Sequence, residues 1–309
     1  MRLLTRSDFD GLMCAVLLKE MGVMDERKFV HPKDIQDGLV EADENDVLAN
    51  VPYLPGCGLW FDHHASEVER EEMFRHHWEG ACDPGAKSCA RVIFDYYGGA
   101  EGPLARLSYL VDVADKADSA DFSREEILNP EGWVLLSFVM DPRTGLGRFR
   151  DYRISNYQLM DDLVEYLRNH DIDEILALED VRERVVRYRR HQPLFREMLT
   201  KKSKAEGDAI VIDFVGNDEA YVGNRHIEYA LYPDQNISVR IFDGKNAEFC
   251  VISVGHSILN RTSSVDVGKL MLRFGGGGHF RVGTCQIPYE DRHRVLEEIL
   301  EEINDGSST

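Results

Sequence analysis

A carboxylate and two imidazoles, Asp62-His63-His64, close the short apolar run Gly58-Leu59-Trp60-Phe61. Neighbouring side chains of an extended chain point to opposite faces. At a strand-to-loop corner the backbone bends, and both rings can turn to one site. One imidazole can then ligate a metal while the other meets a substrate phosphate. Near the start of the chain, Ser7-Asp8-Phe9-Asp10-Gly11 sets two carboxylates two residues apart, on one side of an extended loop. That pairing suits a hard divalent cation such as Mn²⁺ or Mg²⁺, whereas one Asp before a helix is usually only its N-cap. A third stretch, Gly275-Gly276-Gly277-Gly278-His279, exposes backbone N–H groups and lets an anion approach closely. Arg281 adds a donor beside it, so a phosphate or nucleotide contact is the better reading than a bare turn. The acidic run Asp112, Asp115, Asp118 and Asp121 is either a solvated helix face or part of a crowded site. Ala114 and Ala117 leave room for Asp115 and Asp118, and spacing does not choose between them.

These groups need elements to hold them. Arg2 to Thr5 reads as a first strand, followed by the acidic loop and a helix carrying Leu12, Ala15, Val16, Leu17 and Leu18. Gly11 is read as the residue that lets the backbone turn tightly into that helix. Lys28 to Val30, Val47 to Ala49 and Leu59 to Phe61 read as further strands, the last two short and buried. Asn50 is the polar residue that ends one of them. In open parallel sheets, chemistry collects at the carboxyl ends of strands. Glu67 to Arg75 is charged and helical, and His76-His77 beside Trp78 reads as surface or local packing. Val92 to Tyr97 begins an amphipathic helix that Gly98 and Gly99 stop. Leu104 to Val113 is apolar at helical spacing. Trp133 to Lys204 reads as mostly helical, with Asp161 to Leu199 linking two domains. Beyond it, 209–215, 237–242 and 247–254 are β-rich, Val265 to Phe274 is helical, and Arg281 to Ile287 is a closing strand.

The 309 residues suit two domains and a sizeable core. No apolar run reaches membrane-spanning length, and the first residues are no signal peptide. Cys14, Cys57, Cys82, Cys89, Cys250 and Cys285 lie scattered, without metal-site spacing. They read as reduced thiols in a cytoplasmic protein. A formal net charge of −20 disfavours long polyanions, because non-specific nucleic-acid binding depends on basic surface. An anionic substrate should be small.

Taken together, the Ser7 to Gly11 motif, Asp62-His63-His64 and Gly275 to His279 resemble the DHH phosphoesterase superfamily with its DHH-associated C-terminal domain. The resemblance covers nearly the whole chain, in the family's order. It implies metal ligation by Asp8, Asp10 and His63, with Asp62 in the site and His64 facing the scissile phosphate. It also implies a last metal-binding Asp within 112–121, so Asp115 and Asp118 are both carried. There are two departures. Leu4 stands where many members have His, and Asn50 stands where an Asp normally bridges two metals. An amide offers a neutral oxygen and no charge, so Asp46 or another carboxylate is the candidate substitute.

The expected architecture is α/β. It comprises a mainly parallel N-terminal sheet domain over 1–155, a helical connector over 156–204, and a smaller C-terminal α/β substrate-binding domain over 205–309. The cleft between the domains is expected to hold the site. The expected activity is hydrolysis of short oligonucleotides or small nucleotide phosphoesters, with one or two Mn²⁺ or Mg²⁺ ions. An oligoribonuclease or phosphoadenosine-phosphate phosphatase is the nearest pattern. The alternatives are a pyrophosphatase- or exopolyphosphatase-like hydrolase, or a catalytically impaired nucleotide-binding protein. Asp62, His63 and His64 are the candidate catalytic residues. Asp8, Asp10, Asn50, His63, Asp115 and Asp118 are the candidate metal ligands. Gly275, Gly276, Gly277, Gly278, His279 and Arg281 are the candidate substrate contacts. Long duplex nucleic acid and membrane are excluded as partners, and a homodimer is carried among the expectations.

Overall fold

A computed structural model describes residues 1–67, 78–217 and 219–306. The chain divides into two compact units, one of residues 1–121 and 130–186, the other of 122–129 and 187–309. The expected pair His76-His77 and most of the 67–75 run lie outside the described residues.

The first unit is built on a five-stranded sheet in the order β2-β1-β3-β4-β5. The strands are β1 (Arg2–Arg6), β2 (Glu26–Val30), β3 (Asp46–Ala49), β4 (Leu59–Asp62) and β5 (Gly80–Cys82). Every pairing is parallel, so all carboxyl ends lie at one edge. β3 is buried along its length and β4 along Trp60, Phe61 and Asp62, as strands covered on both faces must be. Trp60 packs with Leu4, Leu48 and Val51, and its indole Nε1 donates to the Val51 carbonyl at 3.0 Å. Tyr53 and Trp78 meet its ring edge-on, at 5.4 and 4.9 Å. The helix Phe9–Glu20 is buried on every side from Phe9 to Leu18. A helix that is apolar all round belongs inside a core, and Asp10 is buried with it.

Gly11 has an ordinary helical backbone, not the special turn expected of it. Its requirement is steric: a Cβ there would lie 2.0 Å from the Arg6 carbonyl oxygen. The helix Cys89–Tyr96 ends as expected, with Gly98 and Gly99 at φ values of 96° and 58°. The apolar run after Leu104 forms a 3-10 turn, Ala105–Leu107, and then the helix Ser108–Asp118. Helices follow over Gly132–Met140, Asn156–Tyr166 and Ile172–Ala177, and the long helix Glu179–Lys202 runs from the first unit into the second.

The second unit carries a six-stranded sheet in the order β10-β11-β9-β8-β7-β6. Its strands are β6 (Ser203–Glu206), β7 (Ala209–Asp213), β8 (Ile237–Asp243), β9 (Cys250–His256), β10 (Gly277–His279) and β11 (Val282–Ile287). β7 and β8 pair in parallel, and the other neighbours are antiparallel. Alternate residues Ile237, Val239 and Ile241 of β8 face the core with Cys250, Ile252 and Val254 of β9. The helices Val267–Leu272 and Arg292–Gly306 cover them through Val267, Met271, Ile299 and Ile303.

The glycine run is not a simple turn. Gly277–His279 is an edge strand paired with Val282–Thr284. Cβ atoms at Gly276 and Gly278 would lie 2.2 Å from the carbonyl oxygens of Thr284 and Val282. These glycines therefore permit close backbone packing onto β11. His279 ends β10, and Arg281 lies in the two-residue turn before β11. No described helix is long and apolar enough to cross a membrane.

Candidate active site

The carboxyl edge of the first sheet gathers most of the expected residues. Asp8 follows β1 and caps the helix Phe9–Glu20, its Oδ1 accepting from the Gly11 N–H at 3.0 Å. The same oxygen accepts from Asn50 Nδ2 at 3.1 Å, and Oδ2 pairs with Arg6 Nε at 3.0 Å. Asp8 is thus a helix cap that is also tied to Asn50 and Arg6. Asn50, the residue after β3, is buried at φ 58°. Asn tolerates this left-handed conformation better than most residues. Its backbone N–H donates to the Phe61 carbonyl at 3.1 Å, tying the corner of β3 to β4.

Asp10 enters from the first turn of its helix. Its carboxylate accepts from Cys89 N–H at 2.9 Å and Ala90 N–H at 3.0 Å. These are first-turn donors of the helix Cys89–Tyr96, a natural seat for negative charge. Burial, then the charges of Asp118 and Asp8, nevertheless push the Asp10 carboxyl well above the usual range. Burial likewise raises Asp118, against the pull of His63. Asp8, Asp10 and Asp118 thus crowd one another, each disfavouring the charge of the next.

β4 ends at Asp62. Its Oδ1 accepts from the His63 N–H at 2.7 Å and from His64 Nδ1 at 2.7 Å. That bond outweighs burial and holds the His64 imidazole above its ordinary pKa. The two rings lie 4.5 Å apart, so the corner does turn both to one side. His63 Nε2 approaches Asp118 Oδ2 at 3.4 Å and Asp10 Oδ2 at 3.8 Å. It is buried without a hydrogen-bond partner among the described residues, as is Asp62 Oδ2.

Asp10, His63 and Asp118 each offer one ligand atom within 4.8 Å of the others, and so do Asp62, His63 and His64. Orphaned buried polar atoms are costly unless something completes them. A divalent cation would meet the orphaned His63 nitrogen and offset the crowded carboxylates, so these residues fit the metal that the motifs imply.

Asp115 is elsewhere. It accepts from Ser88 Oγ at 2.7 Å and from Arg91 Nε at 2.9 Å. Asp46, the candidate substitute for Asn50, begins β3 and pairs with Arg2 at 2.7 Å, at the opposite end of that strand. Sequence reasoning missed Arg143. Burial lowers its pKa, but Asp141, Asp8 and Asp118 outweigh that and leave it raised. Only a place in space, not a motif, brings Arg143 to these carboxylates.

In the second unit the structure separates the expected substrate residues. Arg281 lines a 170 Å³ pocket with Arg225, Arg240, His256, Tyr229 and Ser238. Tyr229 Oη and Ser238 Oγ share a 2.8 Å hydrogen bond, and Arg240 is paired with Glu228. Burial, with Arg281 adding to it, lowers the His256 pKa. His279 is exposed at the end of β10 and does not line this pocket. The pocket's other residues are scattered over more than fifty positions, and no spacing signals them.

No family model and no curated protein matches the chain. Among solved structures it is similar to a pGpG-specific phosphodiesterase, PggH, from Vibrio cholerae. The two are 44% identical, 99% of each chain is covered, and the TM-score is 0.87. An exopolyphosphatase-related protein from Bacteroides fragilis is 14% identical, with 100% of this chain and 93% of that chain covered at a TM-score of 0.53. RecJ of Thermus thermophilus in complex with Mn²⁺ is 15% identical, with 99% of this chain and 52% of that chain covered at a TM-score of 0.53. These last two share the fold alone. The chain belongs to the DHH phosphoesterase superfamily, and its class of activity is hydrolysis of phosphoester bonds.

Proposed function

We propose that the chain hydrolyses the phosphodiester of a short linear dinucleotide to mononucleotides. The observation that carries this reading is the Asp10–His63–Asp118 cluster, with Asp10 buried, Asp118 open to solvent and one imidazole nitrogen orphaned. The dinucleotide, rather than a longer oligomer or 3′-phosphoadenosine 5′-phosphate, is favoured by full-length similarity to a pGpG-specific enzyme.

Asp10, His63 and Asp118 would hold Mn²⁺ or Mg²⁺, and Asp62 with His63 and His64 would be the set open to a second ion. When bound, such ions lower the pKa of water and stabilise charge on phosphoryl oxygens. The chain's own groups do the rest. Asp62 orients His64 through Nδ1, which leaves Nε2 to donate to a phosphoryl oxygen. Ser88 and Arg91 keep Asp115 out of the ligand set.

The test is a substrate panel in Mn²⁺: pGpG, 3′-phosphoadenosine 5′-phosphate, pyrophosphate and a long single strand. The expected result is preferred cleavage of pGpG to mononucleotide. His63→Ala should remain folded and lose nearly all turnover. Faster release of phosphate from pyrophosphate, or undiminished turnover by folded His63→Ala, overturns the reading.

A further inference from the structure

The first unit holds a second, larger pocket, of 410 Å³. That volume falls within the range of about 300–1,000 Å³ occupied by small-molecule sites, so it fits a nucleotide fragment and not merely an ion. Its wall includes Ser7, the residue before Asp8, so the pocket opens beside the carboxyl end of β1, from which Asp8 and Asp10 follow.

The rest of the wall is aromatic and cationic. Phe149 and Tyr152 are half-buried and Tyr157 is exposed. The wall is also anchored. The buried Arg184 guanidinium lies 4.1 Å from the Tyr152 ring centroid and donates to the Ile154 carbonyl at 2.7 Å. Two guanidinium groups line the space, and they differ. Arg153 is consumed by ion pairs with Asp180 and Glu179. Arg150 is exposed and has no acidic or hydrogen-bonding partner among the described residues. A lone solvated arginine would account for the charge, but not for the anchored aromatic pocket it lines.

Planar rings that stack, with one fork of donors, suit a flat ring that presents two acceptors on one edge. Guanine offers O6 and N7 in that arrangement. Adenine sets an amino donor beside N7, which a guanidinium cannot bond. We propose that this pocket binds a guanine base of the substrate, with Arg150 donating to its O6 and N7. The proposal rests on the dinucleotide phosphodiesterase reading and extends it to base recognition.

Equilibrium titration of the full chain with guanosine 5′-monophosphate and adenosine 5′-monophosphate, in chelator, tests it without turnover. Wild type should bind the guanosine nucleotide more tightly. Arg150→Ala, at an exposed position, should keep its melting temperature and weaken guanosine binding about tenfold, the scale of a charged hydrogen bond. Adenosine binding should change little. Arg150→Lys keeps the charge without the fork and should also lose the preference. Equal affinities for the two nucleotides in wild type, or unaltered guanosine binding by Arg150→Ala, overturn the proposal. Cleavage of pGpG in Mn²⁺ is read separately: its absence removes the functional reading, while the titration still judges the pocket.

Discussion

Asn50 shows how one amide changes a cluster of acids. Its Nδ2 donates to Asp8 Oδ1, so the pair needs no cation to be stable. Asn50→Asp replaces that donor with a second buried carboxylate. Without metal, the variant should lose about 1–3 kcal/mol, the cost of a buried polar group deprived of its partner. Its melting temperature should fall by roughly 2–10 °C. Mn²⁺ should raise the melting temperature of Asn50→Asp more than that of wild type, because two carboxylates now face one gap. A variant that melts like wild type with and without Mn²⁺ would put Asn50 outside the metal-binding set. At this scale the sequence was partly legible. Asp8, Asp10 and the Asp62–His64 triplet stand out because each ends or follows a buried strand. Asp115 and Asp118 could not be separated, since both lie on the same few turns of helix. Their tertiary partners separate them: Arg91 and Ser88 take one, and His63 meets the other.

Elements are joined by ion pairs whose strength depends on pH. Glu20 ends the helix Phe9–Glu20 and bonds Arg106 at 2.6 Å and Arg168 at 2.9 Å. The Arg106 hydrogen bond, with Arg168 beside it and against burial, holds the Glu20 carboxyl below its usual range. A carboxyl depressed in the folded state contributes stability that is fully present above its unfolded value, near about 4.3. That contribution fades as pH falls below this value through the folded one. Glu20→Gln should therefore melt below wild type at neutral pH, with the gap closing between about pH 5 and 3. Melting curves across that range check it, and a gap independent of pH would remove the electrostatic account. Strand legibility follows the same physics. β1, β3, β4, β8 and β9 announce themselves through apolar runs or alternation. β6, Ser-Lys-Ala-Glu, and β10, Gly-Gly-His, carry no such pattern. Their extended state comes from pairing with β7 and β11, which no local sequence encodes.

Across the whole molecule, the chain's order and the packing's order disagree in one place. Residues 122–129 stand in the sequence between parts of the first unit, yet they pack with the second. Ile127 is fully buried, its carbonyl accepts from Asn224 Nδ2 at 2.9 Å, and Arg124 Nε donates to the Ala230 carbonyl at 2.8 Å. A fragment ending at residue 186 should therefore expose Phe122 and Ile127 and bind a hydrophobic dye or aggregate, where the full chain does not. A monomeric, non-binding fragment would show that this segment needs no cover. The same crossing sets a schedule for a chain leaving the ribosome. Once residues 122–129 emerge, their partners near Ala230 lie about 100 residues behind, a delay of roughly 5–20 s at ordinary synthesis rates. The first unit can close around its sheet during that interval, but the segment must stay unsatisfied until translation supplies its lodging. Slow codons or a pause between 130 and 230 would lengthen its exposure to chaperones, a demand that arises from the path of the chain and not from its composition.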